Sequence, residues 1–144
     1  GKIRTSGVIM RDEKGNKIVD SDGKTLRNHG KFKALQAAGW MYDDDTAQVS
    51  MNLLDHTTTG LHDVIEAIRA EANKLGLEVT SSELVGLVPK QAMIQAGNHY
   101  CPNIEESNEN KILQHAVHGL GLEGLHEFDV NASIIELAVR RSGQ

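Results

Sequence analysis

A stretch of strict alternation between apolar and polar residues sets the tightest limit on how this chain folds. In residues 47–53 the apolar side chains occupy every second position. A half-buried β-strand has this period, because successive side chains point to opposite faces. Before it, residues 33–42 favour a helix at their Ala-rich start and a strand at their aromatic end, and three aspartates follow. The alternating stretch decides the matter, so we predict a β-hairpin over residues 33–54 whose covered face carries Ala47, Val49, Met51 and Leu53.

Helical periodicity dominates the chain after this hairpin. One apolar face runs through residues 61–75, with Thr57, Thr58 and Thr59 as N-cap candidates and Gly76 as the terminating residue. The remaining pattern predicts a strand at residues 77–80, a short helix after Pro89, a helix over residues 109–120 capped by Asn108, and a last helix from about Asn131 to Arg140. A chain of 144 residues with this mixture is expected to form one α+β domain.

The first thirty residues are predicted to be the end of a helix followed by a polar loop. Ile3, Val8 and Ile9 form a weak apolar stripe, and residues 12–24 contain two clusters of turn-forming residues. Their aspartates invite comparison with calcium loops, but the ordered oxygen ligands and closing Glu of an EF-hand are missing, so a solvated loop is preferred. We divide the chain into residues 1–30, a hairpin-helix-strand core over 31–97, and C-terminal helices over 98–144.

Composition argues against several classes of protein. The net charge is −5, so nucleic acid is not an expected partner. No run approaches the ~18 consecutive apolar residues of a membrane span, so no membrane partner is expected either. The single cysteine, Cys101, has no second cysteine to pair with and fits a reducing compartment, which predicts a cytoplasmic protein.

No catalytic constellation is recognisable in the sequence. His115 and His118 lie one helical turn apart, a spacing that suits two metal ligands, but no further ligand follows at a metal-site spacing. Histidines on a helix surface are therefore preferred over a metal site. Cys101 has no paired base nearby and is more typical of a small buried apolar residue. We predict no catalytic residue and no metal ligand within this chain.

The polar side of the alternating strand is the most informative candidate site. Gln48, Ser50 and Asn52 share one face if the apolar residues between them are covered. A solvated face of an antiparallel sheet explains them equally well. On the pattern alone, a binding surface and a solvated surface remain open.

Several segments together resemble the C-terminal subdomain of glutamate formiminotransferase. No single segment is diagnostic, but their order and spacing are compatible over most of the chain. The segments are residues 33–40, 47–55, 61–62, 82–89, 120–122, 128–129 and 134–136.

This resemblance implies an enzyme of histidine degradation that moves the formimino group of N-formimino-L-glutamate to its co-substrate, tetrahydrofolate. It implies a ferredoxin-like sheet with helices on one face, with further C-terminal helices. The open sheet face would meet an N-terminal formiminotransferase subdomain, with folate in the cleft between the two. The family's catalytic histidine belongs to that N-terminal subdomain, in a motif this chain does not contain, so the chain alone is expected to be inactive. The first strand would lie before Gly1, and a homo-oligomer, a homodimer, is the expected assembly.

A folate cleft gives the polar strand face a purpose. Gln48, Ser50 and Asn52 would supply neutral donors and acceptors to the pterin edge and amide groups, and would help to position the amine nucleophile of folate. Trp40 would stack on a flat ring, although a core or interface aromatic is an equal alternative.

Two further positions complete the predicted substrate-binding set. Lys33, together with Lys31, would meet the glutamyl carboxylates of either substrate, although a solvated strand end explains both lysines as well. Ser82 follows the strand predicted at residues 77–80, and, as for Ser50, a binding role and a solvated position both remain open. The rival interpretation is a non-enzymatic ligand-sensing or interaction module, because the ferredoxin-like fold hosts many unrelated functions.

Overall fold

The chain folds into two compact units, the first over Gly1–Thr59 and the second beginning at Gly60. A computed structural model describes residues 1–103 and 108–143. Within them lie two antiparallel two-stranded sheets and five helices, which confirms the α+β class. A small part of the C-terminal segment predicted as helices, residues 104–107, lies outside the described residues.

The first sheet pairs β1 (Val8–Ile9) with β2 (Arg27–Asn28). Residues 3–9 were predicted as a helix end, and that prediction is wrong. The residues that contact each other are far apart in sequence: Val8 lies opposite Asn28, so the strand is stabilised by a partner that local periodicity does not reveal.

The polar loop between β1 and β2 consists of two turns with the same construction. Asp12 Oδ1 accepts the backbone N–H groups of Lys14 and Asn16 at 2.9 and 2.8 Å. Further along, Asp20 Oδ1 accepts those of Asp22 and Lys24 at 3.0 and 2.8 Å. Their carboxylates therefore satisfy backbone donors within the turns, as Asp residues commonly do, which agrees with a solvated loop.

The second sheet is the predicted hairpin, formed by β3 (Leu35–Met41) and β4 (Ala47–Leu53). Asp43 Oδ1 accepts the N–H groups of Asp45 and Thr46 and so closes the connecting turn. These hydrogen bonds, led by the one from Asp45, hold the pKa of Asp43 below its ordinary value. The turn fixes the pairing of the two strands over their full length.

The threonines after the hairpin do not cap the next helix, contrary to the prediction. The hydroxyls of Thr57 and Thr58 both donate to the carboxylate of Asp55, at 2.6 Å each. These bonds, that of Thr57 first, lower the pKa of Asp55 to about 2. The hydroxyl of buried Thr59 donates to the carbonyl of Lys33 at 2.7 Å and thereby ties this turn to the base of the hairpin.

Helix α1 (Leu61–Lys74) opens the second unit with Gly60 as its N-cap. The N–H of Gly60 donates to the Asp63 carboxylate at 3.0 Å, which satisfies a donor that a helix start leaves free. At the other end Gly76 adopts φ 71°, and its N–H donates to the carbonyl of Asn73. The predicted glycine terminator is therefore confirmed, in a left-handed conformation that glycine adopts without steric cost.

The core of the second unit lies between α2 (Lys90–Tyr100) and α3 (Glu109–Leu120). The Asn108 side chain accepts the N–H of Lys111 at 3.0 Å, as the predicted cap requires. Gly97 allows the helices to approach closely, because a Cβ there would lie 2.1 Å from the Ile112 carbonyl oxygen. Burying each large apolar side chain in such a core contributes roughly 1.5–3 kcal/mol. The buried residues of the two helices include Ala92, Met93, Ala96, Leu113, Ala116, Val117 and Leu120.

The prediction of a strand at residues 77–80 is wrong. Residues 77–87, all of which the structure describes, pair with no neighbouring strand. Instead, the N–H of Ser82 donates to the carbonyl of Gly121 at 2.9 Å. A segment with strand propensity forms a strand only beside a neighbouring strand. Val88, which follows residue 87, makes only an isolated parallel bridge with Ile134.

That bridge also divides the predicted last helix into α4 (Val130–Ser133) and α5 (Ile135–Ser142). The carbonyl of Val88 accepts the N–H of Ile135, and its N–H donates to the carbonyl of Ser133, so the helix is interrupted at buried Ile134. Asp129 caps α4, which begins at Val130, next to the predicted start at Asn131. Within residues 1–103 and 108–143, no helix has both the length and the apolar character needed to cross a bilayer.

Candidate functional site

Cross-strand pairing in the hairpin brings the predicted polar residues together with Trp40. Gln36 lies opposite Asn52, Ala38 opposite Ser50, and Trp40 opposite Gln48. Directly opposed residues of an antiparallel pair share one face of the sheet. We call this surface the polar hairpin face, defined by Gln36, Ala38, Trp40, Gln48, Ser50 and Asn52.

This polar hairpin face is exposed in the structure. Gln48, Ser50 and Asn52 are all exposed, and the Trp40 residue retains 49% of its accessible surface. An indole is usually buried because it carries a large apolar area. A half-exposed indole beside three neutral polar side chains therefore offers a surface for a flat ring with polar edges.

The apolar face of the hairpin is covered only toward its base. Leu35 is buried, and Met51 and Leu53 are half-buried. Val49 is 43% exposed and Ala47 is also exposed, so the prediction that both lie on a covered face is wrong. Both residues stand near the turn, at the end of the hairpin farthest from Leu35, where the side chains remain open to solvent.

Lys33 lies at the base of the same hairpin. Its side chain is exposed, and its backbone carbonyl accepts the hydroxyl of Thr59. Ala34, the next residue, has φ 52°, a left-handed conformation that is costly for a residue with a Cβ. Lys31 places its ammonium 5.1 Å from the centroid of the Phe32 ring, a cation–π contact.

Ser82 belongs to the second unit, whereas the other predicted substrate-binding residues belong to the first. It is half-buried, and its N–H is engaged with Gly121. Its membership of one site with the polar hairpin face stays a prediction. Within the first unit, the structure brings together Trp40, Gln48, Ser50 and Asn52, with Lys33 shortly before the start of β3.

The polar hairpin face is suited to binding rather than to proton transfer. Its polar groups are amides, a hydroxyl and an indole N–H, which donate or accept hydrogen bonds without titrating near neutral pH. Among the described residues, no group of three or more His, Cys, Asp or Glu is placed to hold a metal ion. His115 is half-buried and His118 is exposed on α3.

A second cluster, which sequence reasoning missed, joins α1 to α2. The rings of His62 and His99 stack with centroids 4.5 Å apart and planes 24° from parallel. Tyr100 presents its ring edge-on to His99 at 4.9 Å, and its hydroxyl donates to Glu66 Oε1 at 2.8 Å. The same oxygen accepts a 2.6 Å bond from Arg69. We call these five residues the histidine-stack cluster.

Burial and hydrogen bonding shift the ionisation of this cluster. Burial, more than any other influence, lowers the pKa of His62, and Asp63 partly offsets it. Burial also raises the pKa of Tyr100 to about 12, with help from its bond to Glu66. Burial opposes ionisation of Glu66 as well, but the bonds from Tyr100 and Arg69 together outweigh it and lower the pKa of Glu66. His62 and His99 belong to different helices, which local periodicity does not pair, so only the i to i+4 spacing of His62 and Glu66 could have suggested a cluster.

The described residues define an α+β domain with an exposed polar hairpin face, and comparison with known proteins identifies its family. Residues 7–140 match the formiminotransferase domain, so the chain belongs to the formiminotransferase domain family. It is 42% identical to the formimidoyltransferase-cyclodeaminase of Mus musculus over 145 aligned residues, which cover 94% of this chain and 26% of that protein.

Two shorter relatives are named for one activity only, as glutamate formimidoyltransferases. The glutamate formimidoyltransferase of Streptococcus pyogenes serotype M1 is 33% identical over 104 residues, covering 71% of this chain and 35% of that protein. The one from Thermoplasma acidophilum is 35% identical over 112 residues, covering 78% and 35%. The chain thus spans about a quarter to a third of the length of these relatives.

Proposed function

We propose that this chain is the folate-binding half of a glutamate formiminotransferase. The whole enzyme would transfer the formimino group of N-formimino-L-glutamate to tetrahydrofolate, a step of histidine degradation in the cytoplasm. Membership of the formiminotransferase domain family supports the reaction class, and the relatives named glutamate formimidoyltransferase support glutamate as the donor skeleton. Within the chain itself, the observation that carries the proposal is the placement of Trp40 opposite Gln48 on an exposed face.

The chemistry of tetrahydrofolate fits this face. The pterin is flat and has amide, amine and ring-nitrogen groups along its edge, so it combines a stacking surface with several hydrogen-bonding positions. Trp40 would cover the flat ring, while Gln48, Ser50 and Asn52 would pair with the edge groups. Neutral partners suit a neutral ring, because a charged group would lose more solvation on binding.

Two lysines would bind the negatively charged carboxylates of the substrates. Lys33 lies at the base of the hairpin, and Lys31 precedes it by two positions in the sequence. An exposed ammonium there would meet a glutamyl carboxylate of folate or of the formimino donor, and a contact of this kind is screened by salt. Ser82 is the proposed contribution of the second unit.

Positioning is the role of this half in the reaction. The secondary amine of tetrahydrofolate forms a new bond to the formimino carbon and gives up its proton, the bond from that carbon to the glutamate nitrogen breaks, and the glutamate nitrogen takes up a proton. Holding the amine against the formimino carbon converts a bimolecular encounter into a local one. General acid and base groups would come from an N-terminal formiminotransferase subdomain, with the two open sheets of a ferredoxin-like pair facing each other. The assembled enzyme would be a homodimer.

A transfer assay with separated halves tests the proposal. The chain is mixed with the N-terminal subdomain of its parent protein, and formation of formiminotetrahydrofolate from N-formimino-L-glutamate is followed. We expect no turnover by either half alone and turnover by the mixture, reduced about three- to tenfold by Asn52→Ala, as expected for one lost neutral hydrogen bond to the pterin. Gln114→Ala, an exposed amide on α3, is the matched control. Full activity in a mixture containing Asn52→Ala and Trp40→Ala together would refute a folate role for this face.

A further inference from the structure

The histidine-stack cluster links two helices of the second unit through a pair of titratable rings. His62 stands in the first turn of α1, and His99 stands in the last turn of α2. Their stacked rings, 4.5 Å apart, are a direct contact between these helices. Histidine is the side chain whose charge most readily changes between pH 5 and 8, so this contact changes character within that range.

The groups around His62 accommodate one charge more readily than two. Asp63 Oδ1 lies 3.6 Å from Nε2 of His62, and the Glu66 carboxylate is a second nearby anion. The negative charge of Glu66, however, is already shared between Arg69 and Tyr100. The side chain of His62 is only 15% exposed, so water screens it poorly.

The remaining surroundings leave one nitrogen of His62 unpaired and restrain the ring of His99. Nδ1 of His62 is buried and finds no hydrogen-bond partner among residues 1–103 and 108–143. On the other side, the Tyr100 ring lies so close to Gly119 of α3 that a Cβ there would approach it to 2.2 Å. Tyr100 is therefore fixed between α3 and Glu66, and the edge-on contact of its ring limits the movement of His99 away from His62.

We propose that the His62–His99 stack is a proton-sensitive contact, which holds α1 against α2 while at least one ring is neutral and releases α1 when both rings are charged. A single imidazolium on His62 is compensated by Asp63, and a charged ring stacks acceptably on a neutral one. Two imidazolium rings at this distance repel each other. Glu66, the anion near both rings, already accepts hydrogen bonds from Arg69 and Tyr100. A charge on the His99 ring therefore opposes protonation of His62.

The direction of the pH effect follows from the ionisation of His62. Its pKa is lowered in the folded chain, first by burial, with a further contribution from the charge of His99. The unfolded chain therefore binds more protons than the folded chain at mildly acidic pH. The stability that neutral His62 gives the folded chain is complete above its unfolded pKa of about 6.5. It decreases as pH falls toward the lowered pKa of the folded chain.

An NMR titration of the whole chain tests the coupling between the rings. The ring signals of His62 and His99 are followed from about pH 8 to about pH 4.5, a range that spans histidine ionisation. The unsubstituted chain is compared with His99→Phe, and His118→Gln, a change on the exposed face of α3, is the control. Phenylalanine keeps a ring for stacking but cannot be charged. We expect the apparent pKa of His62 to rise in His99→Phe and to stay unchanged in His118→Gln. An unchanged pKa in His99→Phe overturns the proposal.

Amide hydrogen exchange tests the consequence for α1. Protection factors in α1 are measured at about pH 8 and about pH 5 for the unsubstituted chain and for His62→Phe. His99→Gln is a second variant in case His62→Phe does not fold. Between these two pH values, we expect the protection of α1 to fall at least about threefold more in the unsubstituted chain than in the variant. Equal losses of protection would show that the stack does not control the helix, and would overturn the proposal. Neither readout involves folate, so the outcome is independent of the proposed enzymatic role.

Discussion

Trp40 and Gln48 lie directly opposite each other across the β3–β4 hairpin, and this pairing places the one tryptophan of the chain on the polar hairpin face. The alternation in β4 alone gives Gln48, Ser50 and Asn52 a common side, but it leaves the side occupied by Trp40 undetermined. The register of the hairpin decides it. An aromatic ring and three neutral polar groups thus share a surface that would bind a flat, polar heterocycle.

The fluorescence of Trp40 is expected to report folate binding directly. Because the chain contains a single tryptophan, its emission has one source. Stacking of a pterin on the indole would quench this emission in a saturable manner when 5-formyltetrahydrofolate is titrated into the chain mixed with a tryptophan-free form of its N-terminal half. The same titration of a variant with Tyr42→Phe, a conservative change at an exposed neighbour, should show equal quenching. Emission that falls only linearly with ligand, as absorption alone would cause, would place the ligand away from Trp40.

Replacing Ala34 by glycine is expected to stabilise the first unit. The φ of 52° at Ala34 costs a residue with a Cβ roughly 1–2 kcal/mol, whereas glycine adopts it freely and loses about 0.5–1 kcal/mol through its more flexible unfolded state. The net gain should be about 0.5–1 kcal/mol, measured by urea denaturation. Ala38→Gly, within β3, is the control and should destabilise the chain. A loss of stability in Ala34→Gly would contradict the left-handed conformation.

Removal of the Tyr100 hydroxyl is expected to weaken the second unit modestly. Tyr100→Phe deletes the 2.8 Å bond to Glu66 and should lower the free energy of unfolding by about 1 kcal/mol, because the site is partly exposed to solvent. Tyr42→Phe removes an exposed hydroxyl and should change stability little. Equal effects of the two substitutions, by urea denaturation at neutral pH, would contradict a stabilising role for the Tyr100–Glu66 bond.

The ionisation of Tyr100 gives the same bond a signature at high pH. Because its pKa is raised to about 12, the folded chain favours the neutral phenol. The contribution of Tyr100 to stability is therefore complete below the ordinary tyrosine value of about 10 and is lost as pH rises through the raised value. Spectrophotometric titration of the folded chain should show one tyrosine ionising later than an ordinary phenol. This late step should disappear in Tyr100→Phe.

Local signals in the sequence predict the elements that depend on nearby residues. The hairpin follows from the alternation of Ala47–Leu53, and α3 follows from its apolar face and from Asn108. In each case the residues that form the element also carry its signal. The common side of Gln48, Ser50 and Asn52 was predicted for the same reason.

Elements that depend on distant contacts were predicted wrongly or missed. The pairing of Val8 with Asn28 turned an expected helix end into a strand, and the bridge from Val88 to Ile134 divided the last helix in two. The stack of two histidines in the second unit joins residues of two different helices. Periodicity describes each segment by itself, so it contains no information about which distant segment will supply the partner.

The most direct test of the folate-binding proposal is a calorimetric titration of 5-formyltetrahydrofolate into this chain, alone and then mixed with the N-terminal half of its parent protein. The proposal predicts saturable binding that appears or tightens in the mixture. Asn52→Ala should weaken that binding by about three- to tenfold, as expected for one lost neutral hydrogen bond, while Gln114→Ala leaves it unchanged. Absence of binding by a folded, assembled pair would contradict the proposal, and it would move the interpretation toward a sensing or interaction module that shares only ancestry with the formiminotransferases.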